Sequence, residues 1–178
     1  VHRLADEATQ AYEHARDAVK DFLNAECREE IVFTSGTTSA INLVAFCYGE
    51  AFVNEGDEVI VTEAEHHSDI VPWQMMCKRK GAVLKVLPVD DDGYLKVEML
   101  DELISAKTRI LACTHISNVL GIVNPVKQII DKCHAEGVPV LVDGAQGIVH
   151  SKVDVQDLDC DFYVFSGHKM YAATGTGV

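Results

Sequence analysis

Short apolar runs recur along this 178-residue chain, each separated from the next by a stretch of helical periodicity, and that alternation limits the fold more than any other feature. Residues 31–34, 59–62, 83–89, 110–114, 138–142 and 162–165 read as strands. The run 138–142 is wholly apolar, as a strand covered on both faces should be. Residues 5–24 read as an amphipathic helix, with Ala8, Tyr12, Ala15, Val19 and Phe22 spaced to share one face. A second helix, from about 40 to 52, has almost no polar face, which predicts that it is buried. Further helices are expected over 71–80, stopped by Gly81, over 97–104, and from Pro125 to about 136, stopped by Gly137. Strands alternating with helices make βαβ units, so the expected class is α/β, a mostly parallel central sheet with helices on both faces. No repeat, low-complexity tract or linker divides the chain, which predicts one domain. The last residues, 174–178, read as a turn entering another strand, so the 178 residues are expected to be a partial domain.

Charge narrows the function. Lys and Arg total 15 against 28 Asp and Glu, a formal charge of −13. Such a chain repels phosphate backbones, which argues against nucleic acid as a partner but not against one phosphate in a local pocket. No apolar run approaches the roughly 18 residues that cross a bilayer, and no signal-peptide pattern opens the chain. The expected location is the cytoplasm, with no membrane partner and reduced thiols. The six cysteines, at 27, 47, 77, 113, 133 and 160, form no C-x-x-C pair, so no metal site is expected. Those in apolar runs, Cys47 and Cys113 among them, read as small buried hydrophobes.

Ligands of open α/β sheets bind beyond the carboxyl ends of the strands. Polar residues gather there five times: Ser35 to Thr38, then Glu65, His66 and His67, then His115, Ser117 and Asn118, then Asp143 and Gln146, then Ser166, His168 and Lys169. Thr37 and Thr38 follow a glycine at the start of a helix, a place for a phosphate or for a simple cap. Asp143 ends an apolar strand, where a carboxylate needs a cationic partner unless it caps the next helix. His66 and His67 are adjacent and point apart, so one at most enters a shared site. A phosphate cradle, a carboxylate and a strand-end lysine are what pyridoxal 5'-phosphate requires: a Schiff-base amine, an acid against its pyridinium nitrogen, and donors for its phosphate.

Four strings then carry a resemblance. Residues 65–73 (EHHSDIVPW), 114–121 (THISNVLG), 142–146 (VDGAQ) and 161–169 (DFYVFSGHK) are similar to the SufS-type (group II) cysteine desulfurases, of the class V aminotransferase family of fold-type I pyridoxal-phosphate enzymes. The resemblance covers nearly the whole chain and implies that residues 1–178 are the cofactor-binding large domain, cut after the cofactor lysine. It implies that Lys169 is the Schiff-base and proton-moving residue, and that His66 stacks on the ring and assists proton transfer. It implies that Asp143 holds the pyridinium nitrogen, that Gln146 and Asn118 lie at the phenolic oxygen, and that Thr37, Thr38, Ser166 and His168 bind the phosphate. The implied reaction removes sulfur from L-cysteine, or selenium from L-selenocysteine, leaving L-alanine and an enzyme persulfide for a sulfur-acceptor protein in iron–sulfur cluster assembly. The implied assembly is a homodimer.

The sequence departs from the family pattern after the lysine, where Ala172 and Ala173 replace Gly-Pro, and at Ser39, where Glu is common. The family's sulfur-accepting Cys and substrate-binding Arg fall beyond Val178, so residues 1–178 alone are expected to release no sulfide. Two other readings share Lys169 and Asp143: another class V enzyme, such as a selenocysteine lyase, an aminotransferase or an epimerase, and a non-catalytic domain of the same fold. P-loop, dinucleotide-fingerprint and G-x-S-x-G patterns are absent or misplaced.

Overall fold

The computed structural model describes residues 2–178. Five strands, β1 (Glu58–Thr62), β2 (Val83–Leu87), β3 (Thr108–Thr114), β4 (Val140–Asp143) and β5 (Phe162–Val164), form one sheet in the order β2-β1-β3-β4-β5. Every pairing is parallel. The strands' carboxyl ends therefore line a single edge.

The strand period of two divides the core into two layers. Val59, Val61, Ile110, Ala112 and Leu141 face one side, against Ile41 of α2 (Thr37–Phe52) and Trp73 and Met76 of α3 (His67–Lys80). Ile60, Leu111, Cys113, Val140 and Val142 face the other. There they meet Leu100 of α4 (Leu100–Leu103) and Ile129, Ile130 and Cys133 of α5 (Val126–Ala135). Burying a side chain of this size contributes about 1.5–3 kcal/mol, and a sheet covered on both faces gains it twice at alternate positions.

Several expectations are corrected. Residues 31–34 form no strand, because they lie beyond β5 with nothing to pair along their length. Only Thr34 bridges, antiparallel, to Gly177. That bridge changes the reading of the last residues too. Gly177 pairs with Thr34 on one side and Ser166 on the other, and Val178 exchanges both backbone bonds with Phe165. The first helix, α1 (Arg3–Leu23), forms as expected, but its apolar face is only partly covered: Val19 and Leu23 pack in a cluster with Ile148, Val153 and Phe165, while Tyr12 and Phe22 are more than half exposed. Polar contacts hold α1 as well: Arg16 donates to the carbonyls of Arg28 and Ile31 at 2.8 and 3.0 Å. Helix α2 is not buried all round either. Ala40, Ile41 and Ala45 face the sheet, while Leu43, Phe46, Cys47 and Phe52 are exposed, so the reading of Cys47 as a core residue is overturned. Residues 97–104 are a 3-10 turn, Val97–Met99, running into the single turn α4. Two further single turns, α6 (Gly147–His150) and α7 (Val155–Leu158), carry too few residues for a periodic signal.

Candidate functional site

Thr62, Thr114, Asp143 and Val164 end four adjacent strands, and the loops beyond them close around a cleft of about 240 Å³. Nine residues singled out in the sequence line it: Thr37, Thr38, His66, Asn118, Asp143, Gln146, Ser166, His168 and Lys169. Ser68, Thr114, Ile116 and Ala145 complete the wall, and the sequence reading assigned them nothing.

One end of the cleft is made of hydroxyls at the start of α2. Gly36, at the N-cap, has no side chain of its own to cap the helix. The Thr37 N–H donates to Ser166 Oγ at 2.8 Å, and the two hydroxyls lie 2.7 Å apart. Thr37 and Ser166 are both buried, and the free N–H groups and dipole of a 16-residue helix open beside them. Gly177 makes this junction possible. A Cβ on it would fall 2.4 Å from Gly36 Cα, so only a glycine lets the two backbones pass.

Asp143 stands at the other end, 4% exposed. Its Oδ1 accepts the Ala145 N–H at 2.9 Å. Burial pushes its carboxyl above the usual range; the Ala145 N–H, Lys169 and His66 draw it back without cancelling that effect. The carboxylate thus sits in a site short of positive charge. The turn beneath it is shaped by Tyr163, whose hydroxyl lies 3.0 Å from His115 Nδ1. A Cβ on Gly144 would meet the Tyr163 ring at 2.2 Å, and one on Gly147 would meet His115 Nδ1 at 2.4 Å. His115 is therefore a support under the Asp143 turn and does not line the cleft. Ser117 likewise turns into its own loop, its Oγ accepting the Leu120 N–H.

His66 is the N-cap of α3. Its Nδ1 accepts the Ser68 N–H at 3.1 Å and lies 2.7 Å from Ser68 Oγ. With Nδ1 accepting, the neutral ring carries its proton on Nε2. Histidine is not a usual capping residue, which is why the sequence placed the start of α3 at Val71, four residues late. His67 does not line the cleft; its ring stands edge-on to that of His66, centroids 6.3 Å apart. Lys169 sits in the 3-10 turn Gly167–Met170, half-buried, where its charge acts on Asp143. The Ala172–Ala173 segment closes on itself. Ala172 N–H donates to the Gly167 carbonyl, and Thr176 Oγ1 to the Ala173 carbonyl.

None of the six cysteines lines the cleft. Burial raises the thiol of Cys77 to about 11, those of Cys133 and Cys160 to about 12, and that of Cys113 well above its ordinary value. All four are protonated at neutral pH and inert as nucleophiles.

The family model of the class-V aminotransferases matches residues 1–178. A cysteine desulfurase of Enterobacter sp. (strain 638) is 57% identical over the whole of this chain, which spans 44% of that protein. Among solved structures, the cysteine desulfurase CsdA of Escherichia coli, in an S-sulfonic acid form, superposes with a TM-score of 0.91 at 46% identity. That match covers 99% of this chain and 45% of the other. A C-DES mutant with glycine covalently linked to its PLP cofactor superposes with a TM-score of 0.88 at 26% identity, over 99% of this chain and 47% of that one. The chain thus spans less than half the length of the relatives it matches.

Proposed function

From the chain's membership of the class-V aminotransferase family, we propose that residues 1–178 are the cofactor-binding part of a pyridoxal-phosphate-dependent cysteine desulfurase. The observation that carries the reading is the convergence of Lys169, Asp143 and the Thr37–Ser166 hydroxyls on one cleft. The donor set fits the cofactor at both ends. The buried Asp143 carboxyl lacks sufficient positive charge, and a protonated ring nitrogen supplies it. The start of α2, with Thr37, Thr38, Ser166 and His168, offers a phosphate backbone N–H groups, hydroxyls and the helix dipole. When bound, pyridoxal phosphate supplies an electron sink for a carbanion at the carbon beside a substrate's amino group.

The chain's own groups then have separate tasks. Asp143 would hold the ring nitrogen in its protonated form. Lys169 Nζ would be the amine that holds the cofactor, and an amine in this place could also take and return a proton. His66 presents the protonated Nε2, because Ser68 occupies Nδ1. Gln146 and Asn118 bring amides to the cleft wall and would serve the phenolic oxygen. The substrate proposed is L-cysteine, with L-selenocysteine as its heavier analogue, and the products are L-alanine and sulfur held as a persulfide on a cysteine outside these 178 residues. The absence of any thiol from the cleft wall supports placing the sulfur-accepting cysteine elsewhere. A homodimer, a sulfur-acceptor protein for iron–sulfur assembly and a cytoplasmic site complete the proposal. Among the described residues no helix is long and apolar enough to cross a membrane.

Borohydride reduction of the intact, cofactor-loaded protein, followed by peptide mapping, should label Lys169, and L-cysteine should yield alanine and sulfide in step. Label on another lysine, or a loaded protein that leaves cysteine unchanged, would overturn the reading.

A further inference from the structure

Two buried side-chain oxygens among the described residues lack a hydrogen-bond donor, and they belong to neighbouring carboxyls: Glu65 Oε2 and Asp69 Oδ2. The other oxygen of each is firmly held. Glu65 Oε1 accepts the Thr62 hydroxyl from the end of β1 and the Thr114 N–H from the end of β3, at 2.5 and 2.7 Å. Asp69 Oδ1 accepts the indole N–H of the buried Trp73 at 2.9 Å. The two carboxyls are neighbours four residues apart, each with one buried oxygen left without a donor, and each acts on the other's titration. Two carboxylates facing each other away from water repel strongly, whereas one proton between them satisfies both orphaned oxygens.

Their surroundings offer no other compensation. The groups that face them are Asp143 from β4 and the Cys113 thiol of β3, with Thr62, Thr114 and Trp73 as neutral donors. Neither carboxyl joins an ion pair among the described residues, and no cation acts on Asp69. No group of His, Cys, Asp and Glu among them could hold a metal ion.

The pair brackets His66. Glu65 precedes it and ties the loop to two strand ends. Asp69, one turn into α3, is anchored through Trp73 to the core, and the Asp69 and Ile70 N–H groups both donate to the His66 carbonyl at 2.8 and 3.3 Å. We propose that Glu65 and Asp69 share a single proton, and that this shared proton clamps the loop that presents His66 to the cleft. They are positioning residues, not catalytic ones. The inference rests on the reading of His66 above only for its effect on turnover; the shared proton rests on the two buried carboxyl oxygens that lack donors while their partner oxygens are firmly held. Removing the proton at alkaline pH leaves two enclosed charges facing each other, which must part, and the segment between them is the one carrying His66. Desolvation comes first in raising both groups above the ordinary carboxyl range, which favours retention of the shared proton.

The test uses the intact protein. Infrared spectra in heavy water at neutral pH, with carbon-13-labelled Asp and Glu, should show a protonated-carboxyl band in the wild type that both Asp69→Asn and Glu65→Gln lose. Asn at 69 donates to Glu65 without titrating and so preserves the clamp. Amide hydrogen exchange at Asp69 and Ile70, corrected for intrinsic rates, should quicken in the wild type by about tenfold per pH unit above the pair's last deprotonation. It should stay flat in Asp69→Asn, which should also keep its turnover to higher pH. If one variant fails to fold, the other still decides the band. A wild type with no band lost on substitution, or an alkaline step that persists in Asp69→Asn, overturns the proposal. Failure to bind cofactor or consume cysteine in every protein, with the band intact, would instead overturn the functional reading.

Discussion

Alanine at position 144 is the sharpest probe of how the Asp143 turn is built. Gly144 is not in the left-handed region, so alanine brings no backbone strain there, and the whole effect is steric. The added methyl carbon would sit 2.2 Å from Tyr163 Cε1 and Cζ and 2.4 Å from its hydroxyl, far inside the 3.4 Å at which ordinary contact begins. Tyr163 is not free to retreat, because its hydroxyl is bonded to His115 at 3.0 Å and the rings meet edge to face. Forcing it aside combines an overpacking cost with the loss of a part-buried hydrogen bond, together about 2–6 kcal/mol. Urea unfolding of the intact protein should show that loss with an unchanged slope, and cofactor titration should weaken in parallel, because Asp143 is the preceding residue. A double-mutant cycle isolates the cause. In a Tyr163→Ala background the methyl has space, and Gly144→Ala should then cost under about 1 kcal/mol, a coupling of at least 1 kcal/mol between contacting residues. Equal costs in the two backgrounds would refute the steric account.

Asp143→Asn should reduce turnover on L-cysteine by more than it weakens cofactor binding, since an amide can bond the ring nitrogen but does not keep it protonated; measuring the cofactor Kd and kcat together checks this, and unchanged turnover would contradict it. Arg109, 2.9 Å from the largely buried Asp57, holds that carboxyl below its usual range, aided by the Asn54 N–H. A lowered folded-state pKa gives stability that is present above the unfolded value near 3.8 and is lost as pH falls through the lower folded value. Acid unfolding should accordingly be less steep below pH 4 in Asp57→Asn than in the wild type.

The alternation of strands and helices was plain in the sequence, because period-two and period-3.6 patterns are local. The same locality explains the misplaced elements. Residues 31–34 have the composition of a strand but no neighbour to pair with, and pairing is not written in a single stretch. The exposed faces of α1 and α2 look like core faces, since apolar periodicity records what a helix could bury and not what lies opposite. At the site, the nine singled-out residues that line the cleft were legible as polar breaks at strand ends, and the family likeness read from four strings is borne out by the family match. The supports were not. That His115 serves Tyr163 instead of the cleft, and that Glu65 meets Asp69 across a helix start, are facts of packing. The four-residue spacing of Glu65, Asp69 and Trp73 was the available signal for the second.

The double pairing of Gly177 bears on the order in which the molecule is made. Thr37 and Ser166 meet across 129 residues, and the Gly177 backbone ties both of their loops together. At about 5–20 residues per second, the ribosome delivers Ser166 roughly 6–26 seconds after Thr37. During that interval α2 can form and β1 to β4 can assemble in sequence, each βαβ unit closing on the one before. The hydroxyl end of the cleft cannot. It is finished only when Gly177 emerges, so a nascent chain carries β1 to β4 already paired with the hydroxyl end of the cleft still open. Pulse-labelled amides at Thr34 and Thr37 should be the last in this sheet edge to gain protection.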